Sequence, residues 1–173
     1  MLRRSLLLVT ASCLLYSGSA ASQELIQLYE NSVSRQPYVT FNARDGSPGH
    51  AFVILGEELD NALTFQLGVF GFYPKDGKKL VIRALFGTDG VIDQKWADLE
   101  SDVRFRQNIS PAQKANVSKI LNEWKTKKYS LLDNNCNKLA EQVAIAIGLK
   151  APSAGPGTTF PVNYIEALES VNK

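Results

Sequence analysis

The predicted strand-forming segments lie between residues 38 and 109, and most of the helix-forming segments follow them. Short runs rich in β-branched and aromatic residues are separated by turn material, as at 44–49 and 56–61. The predicted strands are 38–43, 50–55, 63–70, 80–86 and 103–109. Strands followed by helices indicate an α+β fold with an antiparallel β-sheet packed against helices. The second and third runs are predicted to form a hairpin centred near Glu58.

Helix signals cluster after the last strand. The segment 110–113, Ser-Pro-Ala-Gln, carries a capping-box pattern with proline at the first helical position. Apolar residues behind it recur at helical spacing and form one stripe: Val117, Ile120, Leu121 and Trp124. Further helices are predicted at 136–147, ending at Gly148, and at 162–171, after a loop rich in proline and glycine. A short helix is also predicted at 23–33.

The first 21 residues have the pattern of a secretory signal peptide. Arg3 and Arg4 precede an apolar run at 6–16, and small residues follow at 18–22. The run is too short for a membrane anchor, so we expect cleavage near Ala21 and one mature domain at 22–173. A twin-arginine signal, or a lipoprotein site at Cys13, fits the segment less well. The protein is therefore expected to be secreted or periplasmic.

The charge of the mature chain argues against two classes of partner. The full sequence has 19 basic and 17 acidic residues, and removal of Arg3 and Arg4 leaves 17 of each, a net charge of zero. No cluster of basic residues predicts nucleic-acid binding, and no second long apolar segment predicts a membrane span. No phosphate-binding glycine motif is present, and one histidine with one mature cysteine cannot form a typical zinc site. No cofactor or metal is therefore expected.

Cysteine and histidine counts point to one reactive pair. Cys13 is lost with the signal peptide, so Cys136 would be unpaired in an oxidising compartment. Asn134 and Asn135 are good N-cap residues for a helix beginning at Cys136, where the helix dipole lowers the pKa of a thiol. His50, the one histidine of the chain, begins a predicted strand and is the candidate base. A buried structural thiol and an ordinary histidine are the alternative interpretations.

A third group would orient the imidazole. In a hairpin centred near Glu58, position 66 lies opposite position 50, which makes Gln66 the candidate. Thr64, two residues away on the same face, replaces it if the register is shifted. Gln66 is equally compatible with a solvent-facing position on an ordinary strand.

Two segments of the chain resemble a known group of enzymes. Gly49-His50-Ala51-Phe52 on an early strand is followed much later by 129–137, Tyr-Ser-Leu-Leu-Asp-Asn-Asn-Cys-Asn, at the start of a helix. This order resembles the circularly permuted papain-like group, which includes permuted relatives of NlpC-type cell-wall peptidases, lecithin retinol acyltransferase-like enzymes and PPPDE domains. Lys138-Leu139 departs from the His-Phe that usually follows in PPPDE domains, and acyltransferase relatives often have a second histidine at the place of Gln66.

The resemblance implies a circularly permuted papain-like (NlpC-type) fold and a cysteine hydrolase mechanism. It makes Cys136 the nucleophile, His50 the base and Gln66 the orienting group. The backbone N–H of Cys136 would stabilise the oxyanion, supported by a side chain of Tyr129, Asn134 or Asn135.

The function expected from these residues is that of a cysteine amidase or peptidase acting on peptidoglycan stem peptides. Its partner would be a peptide or peptidoglycan substrate. One alternative is an acyltransferase or thioesterase that acts on lipid acyl groups. Another is a non-catalytic binding module, for which Tyr73, Trp96 and Phe160 in loop-like surroundings would supply a recognition surface.

Overall fold

The described chain contains one antiparallel sheet and three helices. The computed structural model describes residues 34–46, 49–60, 62–75, 87–93, 100–153 and 159–173, and Arg35–Lys173 forms one compact unit. The strands are β1 Arg35–Arg44, β2 His50–Leu59, β3 Thr64–Pro74, β4 Thr88–Asp93, β5 Val103–Asn108 and β6 Lys128–Tyr129, in the spatial order β5-β1-β2-β3-β4-β6. The helices are α1 Pro111–Trp124, α2 Cys136–Ala146 and α3 Pro161–Ser170. The predicted α+β class with an antiparallel sheet is confirmed.

Most predicted elements are present at about the predicted bounds. Four predicted strands correspond to β1, β2, β3 and β5, and the three later helices correspond to α1, α2 and α3. Sequence patterns did not identify β4, which begins at Thr88, or the two-residue β6. The predicted signal peptide, the helix at 23–33 and the strand at 80–86 lie outside the described residues.

The two sides of the sheet are covered by different clusters. Along β1 and β2, Val39, Phe41, Val53 and Leu55 pack with residues of all three helices, and we call this the helix side. Side chains alternate along a strand, so the neighbouring residues point to the opposite side. A smaller buried cluster, Phe52, Ile54 and Val69, lies on that opposite side.

Local hydrogen bonds hold α1 against α2. The capping box of α1 is confirmed, with the Gln113 N–H donating to the Ser110 hydroxyl at 3.2 Å. The side chain of Gln113 also donates to the carbonyl of Ile147 at 2.6 Å, just after α2 ends. Gly148 follows in the left-handed conformation, φ 82°, as expected for its C′ position. The contact of Gln113 with Ile147 thus ties the end of α2, the helix that carries Cys136, to the start of α1.

The β2–β3 hairpin turns later than the sequence suggested. The N–H of Leu59 donates to the carbonyl of Leu63 at 2.9 Å, so the turn lies between these residues. The ladder pairs Gly56 with Gln66 and, beyond a bulge at Leu55/Gly56, Phe52 with Gly71. When the turn moves by one residue, the partner of a given strand residue moves by two positions. The predicted pairing of positions 50 and 66 is therefore wrong.

None of the helices in the described ranges is long and apolar enough to cross a membrane.

Candidate active site

The helix that carries Cys136 begins at a side-chain cap. Asn135 has extended backbone angles, and its side-chain oxygen accepts the N–H of Lys138 at 3.0 Å, so the predicted N-cap is confirmed. The amide nitrogen of the same side chain donates to the carbonyl of Leu131 at 2.8 Å. The backbone carbonyl of the neighbouring Asn134 accepts the N–H of Ser130 at 2.9 Å. The side chain of Asn135 is thus engaged in holding the first turn of α2.

The sulfur of Cys136 is buried among backbone N–H groups. The residue is 8% exposed, and the backbone N–H groups of Ala51, Asn137 and Cys136 itself lie near the sulfur and favour its thiolate. Burial nevertheless raises the pKa of the Cys136 thiol, because removal from water disfavours the thiolate more than these N–H groups stabilise it. The lowered thiol pKa expected from the helix dipole is therefore wrong.

The contact with Ala51 brings Cys136 to the start of β2. Pairing of β1 with β2 continues to Arg44 and His50, whereas the β2–β3 ladder ends at Phe52 and Gly71. Ala51 is the residue of β2 next to that last pair, and its N–H lies near the sulfur of Cys136. Because His50 and Ala51 share a peptide bond, the backbone of His50 lies close to Cys136.

The imidazole of His50 lies against β3. Its ring stacks on that of Tyr73, with centroids 4.0 Å apart and planes inclined by 24°. It is also nearly parallel to the ring of Phe52, at 6.3 Å, which places it on the opposite side of the sheet. The helix α2 packs on the helix side. A catalytic pair of Cys136 and His50 therefore requires that their side chains meet at the end of the β2–β3 ladder.

Gly71 provides the space that the imidazole occupies. A Cβ atom built on Gly71 would lie 2.5 Å from Nε2 of His50 and 2.6 Å from the ring of Tyr73. A side chain at position 71 would therefore displace both rings. Sequence reasoning assigned no role to Gly71, because its importance depends on which residues face it across the strands.

Gln66 does not lie beside His50. It pairs with Gly56, six residues further along β2, and is exposed. At about 3.3 Å per residue, the two side chains are roughly 20 Å apart along the strand. Thr64 pairs with Glu58 and lies further away still. Both were selected from the wrong register, and Tyr73 lies where Gln66 was expected.

Tyr129 lies in the core close to Cys136. Its ring packs against that of Phe72, with centroids 5.5 Å apart. Burial raises the pKa of the Tyr129 hydroxyl, and the nearby charge of a Cys136 thiolate raises it further. The hydroxyl therefore stays protonated and is able to donate, and the oxyanion role expected of Tyr129 stays a prediction.

Asn137 connects the start of α2 to the segment before α3. It is 2% exposed, and its side-chain nitrogen donates to the carbonyl of Thr159 at 3.1 Å. Its side-chain oxygen lies 3.9 Å from the Cys136 sulfur. The second asparagine of Asn-Cys-Asn was the available signal for this residue, which sequence reasoning left without a role.

An open cleft lies beside this segment. It has a volume of about 620 Å³ and is bordered by Phe160, which is 59% exposed, and by the carboxylates of Asp45, Asp102 and Glu166. Tyr73, predicted in a loop, belongs instead to β3, and Trp96 lies outside the described residues. Phe160, one of the three aromatic residues proposed for recognition, borders this cleft.

Within the described ranges, no group of three or more His, Cys, Asp or Glu residues could hold a metal ion. Comparisons of the chain with models of known families, with characterised proteins and with solved structures found no match.

Proposed function

We propose that this chain is a cysteine hydrolase in which Cys136 is the nucleophile and His50 the base. The observation that carries the proposal is the closeness of the Ala51 N–H to the Cys136 sulfur, where it favours the thiolate. It joins the first turn of a helix to the residue next to the one histidine of the chain. A nucleophilic thiol needs a base within reach, and this is the histidine that the chain can offer.

The reaction would be acyl transfer through a thioester. His50 accepts the thiol proton, the sulfur bonds to the carbonyl carbon, and the C–N bond breaks as His50 returns that proton to the leaving amine. Water, losing a proton to His50, then attacks the thioester and releases the acid and the thiol of Cys136. The backbone N–H groups around the sulfur, with the hydroxyl of Tyr129 as a further donor, would stabilise the tetrahedral oxyanion.

The proposed substrate is the stem peptide of peptidoglycan. Two sequence features support it: the signal-peptide pattern at 1–21, which implies a secreted or periplasmic protein, and the resemblance to the permuted papain-like (NlpC-type) group. Both features support this substrate by analogy, one through the expected compartment and the other through the motif. The open cleft beside Phe160 offers room for an extended peptide near the site.

Release of soluble peptide fragments from purified peptidoglycan tests the proposal. The wild-type chain should release fragments, and Cys136→Ala and His50→Ala should abolish release while leaving the fold intact by circular dichroism. Gln66→Ala is the matched control, since this exposed residue lies far from His50 along the sheet. Absence of release by folded protein across a pH series would refute the peptidase assignment. Labelling of Cys136 by an acyl-thioester probe in that case would indicate an acyltransferase or thioesterase.

A non-catalytic binding module is the second candidate, and the burial of Cys136 favours it. A buried thiol with a raised pKa reacts slowly near neutral pH unless a base assists it. The rate of alkylation by iodoacetamide separates the two functions. A catalytic pair gives faster alkylation in the wild type than in His50→Ala, whereas equal rates, both below that of a free cysteine, indicate a binding module.

A further inference from the structure

We propose that Tyr73 and Gly71 position the His50 imidazole for its reaction with Cys136, Tyr73 by stacking on the ring and Gly71 by leaving the ring its space. The proposal rests on the function proposed above. It replaces Gln66 as the group that orients the base.

The two contacts restrict the imidazole in complementary ways. The stack with Tyr73, at 4.0 Å between centroids, limits tilting of the ring. The missing Cβ at position 71 allows Nε2 to approach β3 to a distance that any other residue type would prevent. Gly71 pairs with Phe52 at the end of the β2–β3 ladder, and the next residue of β2 is Ala51, whose N–H lies near the Cys136 sulfur. The ring is therefore held beside the end of this ladder.

The local sequence explains how β3 can hold the ring there. Alternation along β3 places Gly71 and Tyr73 on the side of the sheet that carries His50, and Phe72 between them on the helix side. Phe72 is fully buried and meets Trp124 edge to face, with centroids 4.7 Å apart. This anchor in the core fixes the backbone on either side of it. The ring of Tyr73 is thus presented to the imidazole by a rigid strand.

A positioning role predicts a loss of rate without a loss of substrate affinity. Aromatic pairs of this kind contribute enough for removal of the partner ring to lower kcat about two- to tenfold. KM should stay unchanged, because Tyr73 acts on the base and not on the substrate. Tyr73→Phe keeps the ring and should keep kcat within about twofold, whereas Tyr73→Ala should not.

The experiment measures kcat and KM for peptide release, and the pH profile of Cys136 alkylation, in five variants. These variants are Tyr73→Ala, Tyr73→Phe, Gly71→Ala, His50→Ala and the double variant His50→Ala/Tyr73→Ala. Leu67→Ala, an exposed residue of the same strand, is the control. Tyr73→Ala and Gly71→Ala should both lower kcat and shift the pH profile toward that of His50→Ala. In the pH profile of alkylation the double variant should match His50→Ala alone, because Tyr73 has no effect once the imidazole is absent.

The outcomes separate the two proposals. If His50→Ala slows release but Tyr73→Ala and Gly71→Ala behave like the wild type, the positioning role is refuted and the hydrolase function stands. If His50→Ala itself has no effect, the proposed function fails and the positioning role fails with it. If Tyr73→Ala does not fold, the kcat and the alkylation profile of Gly71→Ala decide the question.

Discussion

Replacement of Asn135 by alanine should destabilise the protein through the loss of two specific hydrogen bonds. The side-chain oxygen of Asn135 caps α2 by accepting the N–H of Lys138, and its nitrogen donates to the carbonyl of Leu131. Alanine removes both and leaves the first turn of α2 held by backbone contacts alone. Asn135→Ser keeps a capping oxygen but loses the bond to Leu131.

The two bonds give the expected magnitudes. Loss of an asparagine N-cap costs about 1 kcal/mol, and loss of one further hydrogen bond costs about 1 kcal/mol. Asn135→Ala should therefore lower the free energy of unfolding by about 2 kcal/mol, and Asn135→Ser by about half of that. With a urea m-value of about 2 kcal/mol/M, these losses lower the unfolding midpoint by about 1 M and about 0.5 M.

Urea unfolding followed by the fluorescence of the buried Trp124 is a suitable assay, since this residue contacts α2 through Gln142 at 2.8 Å. Equal m-values for the three proteins are needed for the comparison. Equal midpoints for Asn135→Ala and Asn135→Ser would refute the separate contribution of the cap. An unchanged midpoint in both would show that Asn135 does not stabilise α2.

Three further predictions concern pH, backbone strain and the site. Burial raises the pKa of both Cys136 and Tyr129. The stability that each group contributes is therefore fully present below its ordinary pKa and is lost as the pH rises beyond that value. The urea midpoint should fall from neutral to alkaline pH, and it should fall less steeply in Tyr129→Phe. Gly148→Ala should lower the free energy of unfolding by about 1–2 kcal/mol, because φ is 82° and alanine disfavours that conformation, although nothing lies within 4 Å of the added Cβ. Gly148→Asn should lower it by less. Equal urea midpoints for the two variants would contradict the strain. Gln66→Ala should leave peptide release and the alkylation rate of Cys136 unchanged, and a loss comparable to that of His50→Ala would restore its predicted role.

Local sequence patterns predicted much of the fold. The capping box at Ser110, the N-cap at Asn135 and the C′ glycine at 148 each depend on contacts within a few residues, so the sequence alone located the ends of α1 and α2. Alternating or continuous apolar runs identified β1, β2, β3 and β5 for the same reason. The strand β4 follows no strong pattern of this kind, since its residues are mostly exposed or half-buried.

Pairing between distant segments could not be derived in the same way. The place of the turn between Leu59 and Leu63, and the bulge at Leu55/Gly56, together moved the partner of the first residue of β2 from Gln66 toward Tyr73. A turn and a bulge each shift the register in whole residues, and the sequence between these strands admits several such arrangements. The group beside the imidazole was therefore decided by tertiary structure.

The sequence by itself determined the α+β class, the placement of Cys136 at a capped helix start and of His50 at a strand start, because these depend on local periodicity and capping. The tertiary structure alone decided that the sulfur meets the N–H of Ala51, that Tyr73 and Gly71 surround the imidazole, and that the thiol is buried enough for its pKa to rise. Burial and cross-strand contact depend on which segments pack together, and that information is distributed over the whole chain.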